Sequence, residues 1–243
     1  MSPVADGTLA GRVAMITGAS SGIGRALTLM LLREGVHVVA TGRNKERLSA
    51  LREEANGLPG SLLTSVADVT DETQMQRVLD EAAQVYGAPD IVVANAGFGI
   101  LKPMTEMRTE EFDSVIAANV RGVWLTLRHS LPAMIERGGG DMIIVSSLAG
   151  KNGFAGGTAY AASKFAVRGL AQSLMLEVRE RNVRVASIFP GSTDTRFFDD
   201  TPMSPDREKI LAAEDVAQAI VDILRSPRRA LLSEIDIRPA NPR

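Results

Sequence analysis

The chain has 243 residues, 45% of them hydrophobic, with 27 basic side chains against 29 acidic ones. That balance leaves no basic excess to attract a nucleic acid or a membrane surface, so neither is expected as a partner. Without a cysteine there is no disulfide framework, thiolate nucleophile or cysteine zinc site, and two histidines, His37 and His129, offer little to a metal, so none is expected.

The opening stretch "MSPVADGTLAGR" has no basic start followed by an apolar core. No apolar run approaches the ~18 residues needed to span a bilayer, so a cytoplasmic protein is expected. The first apolar run, "RVAMIT" (Arg12 to Thr17), leads through a glycine-rich turn into an amphipathic segment from about Ile23 to Glu34. Further runs rich in Val, Ile and Ala follow at 36–41, 61–69, 90–97, 141–147, 183–190 and 230–237. Helical patterns lie between them near 45–55, 71–86, 109–137, 160–181 and 214–224. Continuous rather than alternating apolar content is what strands covered on both faces require. The βαβ alternation predicts an α/β fold of Rossmann type: a doubly wound parallel β-sheet with helices on both faces, as a single domain over 1–243. The stretch 191–209 is the one sizeable insert without periodicity. It follows the carboxyl end of a strand, where open α/β sheets bind ligands, and is a candidate substrate lid.

The turn "TGASSGIG" (Thr17 to Gly24) admits two readings. Gly18, Ser20 and Gly22 match the G-x-S-x-G elbow of a hydrolase nucleophile, and the same glycines match a loop that cradles a dinucleotide phosphate. An elbow serine sits on a central strand after several others, whereas here one strand precedes it. The histidines offer no triad partner either, since His37 falls in the second strand pattern and His129 in a helical one. Under the cradle reading Gly18 ends the strand in a tight turn. Gly22 and Gly24 let the backbone approach the pyrophosphate, and the helix offers its amino-terminal N–H groups to the negative charge.

From Arg12 to about Ile237 the chain resembles the short-chain dehydrogenase/reductase family. "TGASSGIG" matches the cofactor loop of that family, "NAG" (Asn95 to Gly97) its sheet-stabilising element, "YAASK" (Tyr160 to Lys164) its Y-x-x-x-K, and "PGSTDT" (Pro190 to Thr195) its P-G strand end. Ser147, thirteen residues before Tyr160, and Asn119 in "AANVRG" complete the catalytic set that the resemblance implies. Two departures stand out: Ala94 occupies a position where the family often has Asn, and Thr193 one where Val or Ile is usual. The tail "IRPANPR" lacks the frequent glycine-rich strand end, so one tetramer interface is expected to differ.

Tyr160 and Lys164, four residues apart on a predicted helix, share a face. A phenol with a reference pKa near ~10 needs roughly three units of help to exchange protons at neutral pH, and an ammonium ~5 Å away supplies about two of them. Tyr160 is expected to donate a proton to a carbonyl oxygen in reduction and to take it back in oxidation, while Ser147, preferred to Ser146 by spacing, hydrogen-bonds that oxygen. The resemblance implies that Lys164 also holds the nicotinamide ribose hydroxyls and that Asn119 anchors a water linking the lysine to solvent.

An NAD-preferring chain usually carries an acid at the end of the second strand. Here Gly42 stands there, followed by Arg43 with Lys45 nearby. A guanidinium suits a ribose phosphate, so the expected cofactor is NADP(H). The resemblance places Gly18, Ser20, Ser21, Gly22, Ile23 and Gly24 on the pyrophosphate side and Asp68 and Val69 at the adenine. Asn95, Ala96 and Gly97 fall beside the adenosine ribose, Tyr160, Lys164, Pro190, Gly191 and Thr193 at the nicotinamide end, and Thr195 at the nicotinamide carboxamide or the phosphates.

An apolar set of Phe98, Ile100, Leu148, Phe154, Phe197 and Phe198 suits a small-molecule ketone or secondary alcohol, and could equally be core. The lid carries Asp194, Asp199, Asp200, Asp206 and Glu208 against Arg196, Arg207 and Lys209, which disfavours a strongly anionic carrier. The expected activity is an NADP(H)-dependent dehydrogenase or reductase acting on a carbonyl or secondary alcohol. A 3-oxoacyl thioester or 3-hydroxy amino acid is an alternative substrate, and a non-catalytic NADP(H) sensor or scaffold an alternative class. The resemblance further implies a homo-oligomer, tetramer or dimer, built on the helices from Thr109 and Tyr160.

Overall fold

The computed structural model describes residues 8–199 and 201–240, and within them seven strands form one parallel sheet. The strands are β1 (Val13–Thr17), β2 (His37–Gly42), β3 (Leu62–Val66), β4 (Ile91–Ala94), β5 (Gly140–Val145), β6 (Val183–Pro190) and β7 (Glu234–Ile237), in the order β3-β2-β1-β4-β5-β6-β7. The main helices are α1 (Gly22–Arg33), α2 (Lys45–Glu54), α3 (Glu72–Val85), α4 (Thr109–Ile116), α5 (Gly122–Glu136), α6 (Thr158–Val178) and α7 (Ala213–Arg225).

Strand residues alternate between two cores, which is why the apolar runs are continuous. Ala14 and Ile16 pack with Leu27 and Leu31 of α1, Leu48 and Leu51 of α2, and Ile220 of α7. Met15 between them packs with Met75 and Val78 of α3, Leu127 of α5 and Val167 of α6. Each fully buried Leu, Ile or Met contributes about 1.5–3 kcal/mol, against less than ~1 for an exposed ion pair, so this two-sided burial dominates the stability.

The expected architecture holds, and the differences lie at boundaries. The strand expected over 90–97 ends at Ala94, because the Asn95 side chain crosses to the end of β1 and draws the chain out of the sheet. The strand expected over 230–237 begins at Glu234. The carbonyl of Ala230 lies 3.4 Å from the Arg184 guanidinium, and the sheet contact before Glu234 is a single bond from Ser187 N to Ser233 O. The single helix expected over 109–137 is interrupted by a π-helical turn, Ala117–Arg121, which carries Asn119. Such turns insert one extra residue per turn and re-aim a side chain.

At the amino edge of the sheet, the buried Asp141, the half-buried Asp90 and basic side chains knit the strand starts together. Arg12 donates to Asp90 at 2.6 Å and to Asp141 at 2.7 Å, and Arg184 donates to Asp141 at 2.6 Å. The opposite edge is left open. There the strand order reverses between β1 and β4, the crevice where sheets of this kind receive ligands.

The insert 191–209 runs along that crevice. It carries a 3-10 turn at Arg196–Phe198, and Thr193 bridges to Leu211. Arg207 grips the turn from both sides, bonding Asp194 at 2.6 Å and Asp199 at 2.5 Å. Asp200, and Asn241 to Arg243 of the tail, lie outside the described residues. Among the described residues no helix is long and apolar enough to cross a membrane, and no group of three or more His, Asp or Glu is placed to hold a metal ion.

Candidate active site

The turn after β1 closes only because Gly18 and Gly24 carry no side chains. Gly18 has φ +66°, and a Cβ on Gly24 would lie 2.4 Å from the Gly18 carbonyl oxygen and 2.6 Å from Asn95 Nδ2. The Asn95 side chain donates to the carbonyls of Thr17 at 2.9 Å and Gly18 at 3.2 Å, which ties the ends of β1 and β4. Ser21 precedes α1 in extended backbone, and its side chain caps none of the first-turn amides. The start of a helix with uncapped N–H groups therefore opens on the crevice, an arrangement that favours anions.

A single cavity of about 1420 Å³ runs from this turn across the carboxyl ends of β1, β2, β4, β5 and β6. It is lined by Gly18, Ser20, Ser21, Gly22 and Ile23, by Arg43, Asp68 and Val69, and by Asn95, Ala96 and Gly97. Ser147, Tyr160, Lys164, Pro190, Gly191, Thr193 and Thr195 complete the sequence-derived set on its wall. Gly24 and Asn119 do not line it. Gly24 is buried beneath the turn, and Asn119 stands behind the wall.

At the end of β2, a Cβ on Gly42 would come 3.1 Å from Ser20 Oγ. The Arg43 side chain is 72% exposed and 3.9 Å from Asp68 Oδ2, a contact worth under ~1 kcal/mol that restrains it weakly. Asp68 also accepts from Thr70 N at 2.9 Å and from Thr70 Oγ1 at 2.8 Å. Lys45 is not on the cavity, whereas Arg47 is. Asn44 caps α2 by accepting from Arg47 N at 2.8 Å, which sets the helix phase so that the third residue after the cap faces the crevice. That phase was available from Asn44 in the sequence. Arg196, Met203 and Arg238 also line the cavity. Of the apolar candidates Phe98, Leu148, Phe154, Phe197 and Phe198 do so, and Ile100 does not.

Ser147 follows β5, and Tyr160 and Lys164 face the same cavity from α6. Lys164 Nζ donates to the Val145 carbonyl at 3.0 Å and lies 5.6 Å from the centre of the Tyr160 ring. Ser147 is hydrogen-bonded to Tyr160, while Ser146 turns inward and donates to the Lys164 carbonyl at 3.3 Å. Asn119 is fully occupied: Oδ1 accepts from Phe98 N at 2.9 Å, and Nδ2 donates to Phe98 O at 2.8 Å and to Ser163 Oγ at 2.9 Å. Ser163 in turn donates to the Tyr160 carbonyl at 2.7 Å, so Asn119 braces the first turn of α6. Thr193 is buried and spends its hydroxyl on the Gly191 carbonyl at 3.0 Å. The Thr195 methyl packs on Gly22, and its hydroxyl accepts from Phe197 N at 3.4 Å.

The expected lowering of the Tyr160 pKa is reversed in the protein alone. Burial pushes the phenol up to about 12, and the Ser147 hydrogen bond offsets only part of this. Burial also pushes Lys164 down to about 8. Sequence spacing supplies the neighbouring charge but not the desolvation around it, and here desolvation wins.

The short chain dehydrogenase family model matches residues 12–205. The chain is 38% identical over 222 residues to a 3-oxoacyl-[acyl-carrier-protein] reductase of Thermotoga maritima, covering 88% of this chain and 90% of that protein. It is 36% identical over 250 residues to the glycine betaine reductase ATRR of Emericella nidulans, where the match covers 98% of this chain but only 19% of that longer protein. Among solved structures, an alcohol dehydrogenase from the archaeon Thermococcus sibiricus, complexed with 5-hydroxy-NADP, superposes with a TM-score of 0.88 at 30% identity, covering 96% of this chain and 98% of that one.

Proposed function

The chain belongs to the short-chain dehydrogenase/reductase family, and from that premise we propose that it uses NADP(H) to interconvert a carbonyl and a secondary alcohol, with Tyr160 as general acid and base. The observation that carries the reading is the convergence of Ser147, Tyr160 and Lys164 on one cavity with the glycine-rich turn at Gly18 and Gly22.

The site fits the cofactor on its own geometry. A Cβ at Gly24 would strike the Gly18 carbonyl and Asn95 and force the turn apart from beneath, the start of α1 offers uncapped amides to a pyrophosphate, and the cations Arg43 and Arg47 line the same cavity for a ribose phosphate. Gly18, Ser20, Ser21, Gly22, Ile23 and Thr195 would hold the pyrophosphate side, Asp68 and Val69 the adenine, and Asn95, Ala96 and Gly97 the adenosine ribose. Lys164, Pro190 and Gly191 fall to the nicotinamide end. When bound, the cofactor supplies or takes the hydride.

The chain's own residues manage the proton and the developing charge. Ser147 holds the substrate oxygen beside the Tyr160 hydroxyl, which gives its proton as negative charge grows there and removes it in oxidation. With a pKa near 12 the phenol starts protonated at neutral pH, the form that reduction needs, and it requires positive charge nearby to act as a base. Lys164 provides that charge while protonated, and the Val145 carbonyl orients it. The insert 191–209 is the lid over this site. The wider reading is a cytoplasmic homo-oligomer assembled on α4, α5 and α6, which light scattering at micromolar concentration tests.

Replacing Tyr160 with Phe tests the assignment. Turnover is expected to fall by at least about a hundredfold, the ordinary scale of general acid–base catalysis, while NADPH affinity stays within about twofold. Unchanged turnover would overturn the role of Tyr160. A wild type that binds NADPH but reduces no carbonyl would favour the sensor reading instead.

A further inference from the structure

Phe197, on the insert, reaches across the cavity to the reacting phenol. Its ring centre is 5.1 Å from that of Tyr160, with the planes inclined by 48°. The contact has a seat. A Cβ on Gly99 would lie 2.7 Å from Phe197 Cε2, 2.9 Å from Phe197 Cζ and 3.1 Å from Tyr160 Cδ2, so the bare backbone of Gly99 underlies the corner where the two rings meet.

The backbone that carries Phe197 is held from several directions. Phe198 is buried and touches Phe197 edge-on at 5.4 Å, while Thr195 Oγ1 accepts from Phe197 N. Arg207 bonds Asp194 and Asp199 on the two flanks of the turn. One wall of the space beside the Tyr160 hydroxyl is therefore a phenyl ring on an anchored turn.

We propose that Phe197 sets substrate size, confining one side of the carbonyl to hydrogen or methyl, so that the substrates are aldehydes and methyl ketones. The inference rests on the oxidoreductase reading above. A carbonyl that reaches Tyr160 must place one substituent against the Phe197 ring, and a bulky group there has to push the ring off Gly99. The other substituent has the remaining cavity, lined by Leu148, Phe154 and Met203.

Acetophenone and butyrophenone share the phenyl side and differ only in the smaller substituent, so their kcat/KM ratio with NADPH isolates this wall. Wild type is expected to prefer acetophenone by about tenfold or more, the ordinary discrimination a steric pocket gives. Phe197→Ala should bring the ratio within about threefold, mainly by lowering KM for butyrophenone, and Phe197→Leu should fall between. NADPH affinity, read by nicotinamide fluorescence, should not move in either variant. A ratio unchanged in both variants, or a wild type that prefers butyrophenone, overturns the proposal while leaving the reductase reading intact. A wild type inert to both ketones also overturns it, and only inertness to a wider panel of aldehydes and ketones would remove the reductase reading as well.

Discussion

Lys164 Nζ lies 5.6 Å from the centre of the Tyr160 ring and donates a 3.0 Å hydrogen bond to the Val145 carbonyl, with its side chain buried. Burial opposes the charge that the site needs and holds the ammonium down to about 8. Between that value and the ordinary 10.5, the folded chain binds fewer protons than the unfolded one, so this group makes stability rise with pH through the window, by up to about 3 kcal/mol. Tyr160 acts in the opposite sense at higher pH. Its folded value of about 12 exceeds the ordinary 10.0, and its contribution is lost as pH climbs between the two.

Lys164→Met isolates the lysine. Urea denaturation of the cofactor-free protein should find the variant gaining on wild type at pH 7, with the gap shrinking by about 2 kcal/mol at pH 10. A gap independent of pH would show that the buried amine does not carry the shift.

Arg43 and Arg47 share the cavity end next to Gly42. A charge-assisted bond is worth about 1.5–3 kcal/mol, and the exposure of Arg43 places it at the lower end, so Arg43→Ala should weaken NADPH binding about tenfold. Arg47→Ala should weaken it by a similar factor, and NADH binding should change by less than about twofold in both. Nicotinamide fluorescence titration reads both cofactors. Equal losses for the two would remove the phosphate assignment.

Asp141 lies at the other edge of the sheet and accepts from Arg12, Arg184 and Arg228, at 2.7, 2.6 and 3.0 Å. Asp141→Asn removes the negative charge that these guanidinium groups share, and a broken buried pair costs about 3–5 kcal/mol. The denaturation midpoint should fall accordingly, while NADPH affinity at the opposite edge stays unchanged. An unfolding free energy within about 0.5 kcal/mol of wild type would mean that the arginines find other partners.

Local pattern made much of this protein readable. The continuous apolar runs implied strands covered on both faces, and the glycine-rich turn of "TGASSGIG" follows from residues adjacent in the chain. Tyr160 and Lys164 share a helix face because four residues is close to one turn. Asn44 as a cap also contained the phase of Arg47, which the sequence pattern of Arg43 with Lys45 nearby did not single out.

Other features depend on what distant segments bring together. The π-helical turn that lets Asn119 brace Phe98 and Ser163 is set by packing between α4, α5 and α6, and nothing in "AANVRG" announces it. The pKa values of Tyr160 and Lys164 follow from how completely the fold desolvates them, which spacing does not encode. Phe197 meets Tyr160 over Gly99 through an insert that has no periodicity to read. The parallel sheet with helices on both faces was legible from the chain alone, because it rests on near-neighbour geometry and the burial of repeating apolar positions. Tertiary structure alone decided the electrostatics and the shape of the substrate wall, since desolvation and steric contact are properties of the three-dimensional neighbourhood.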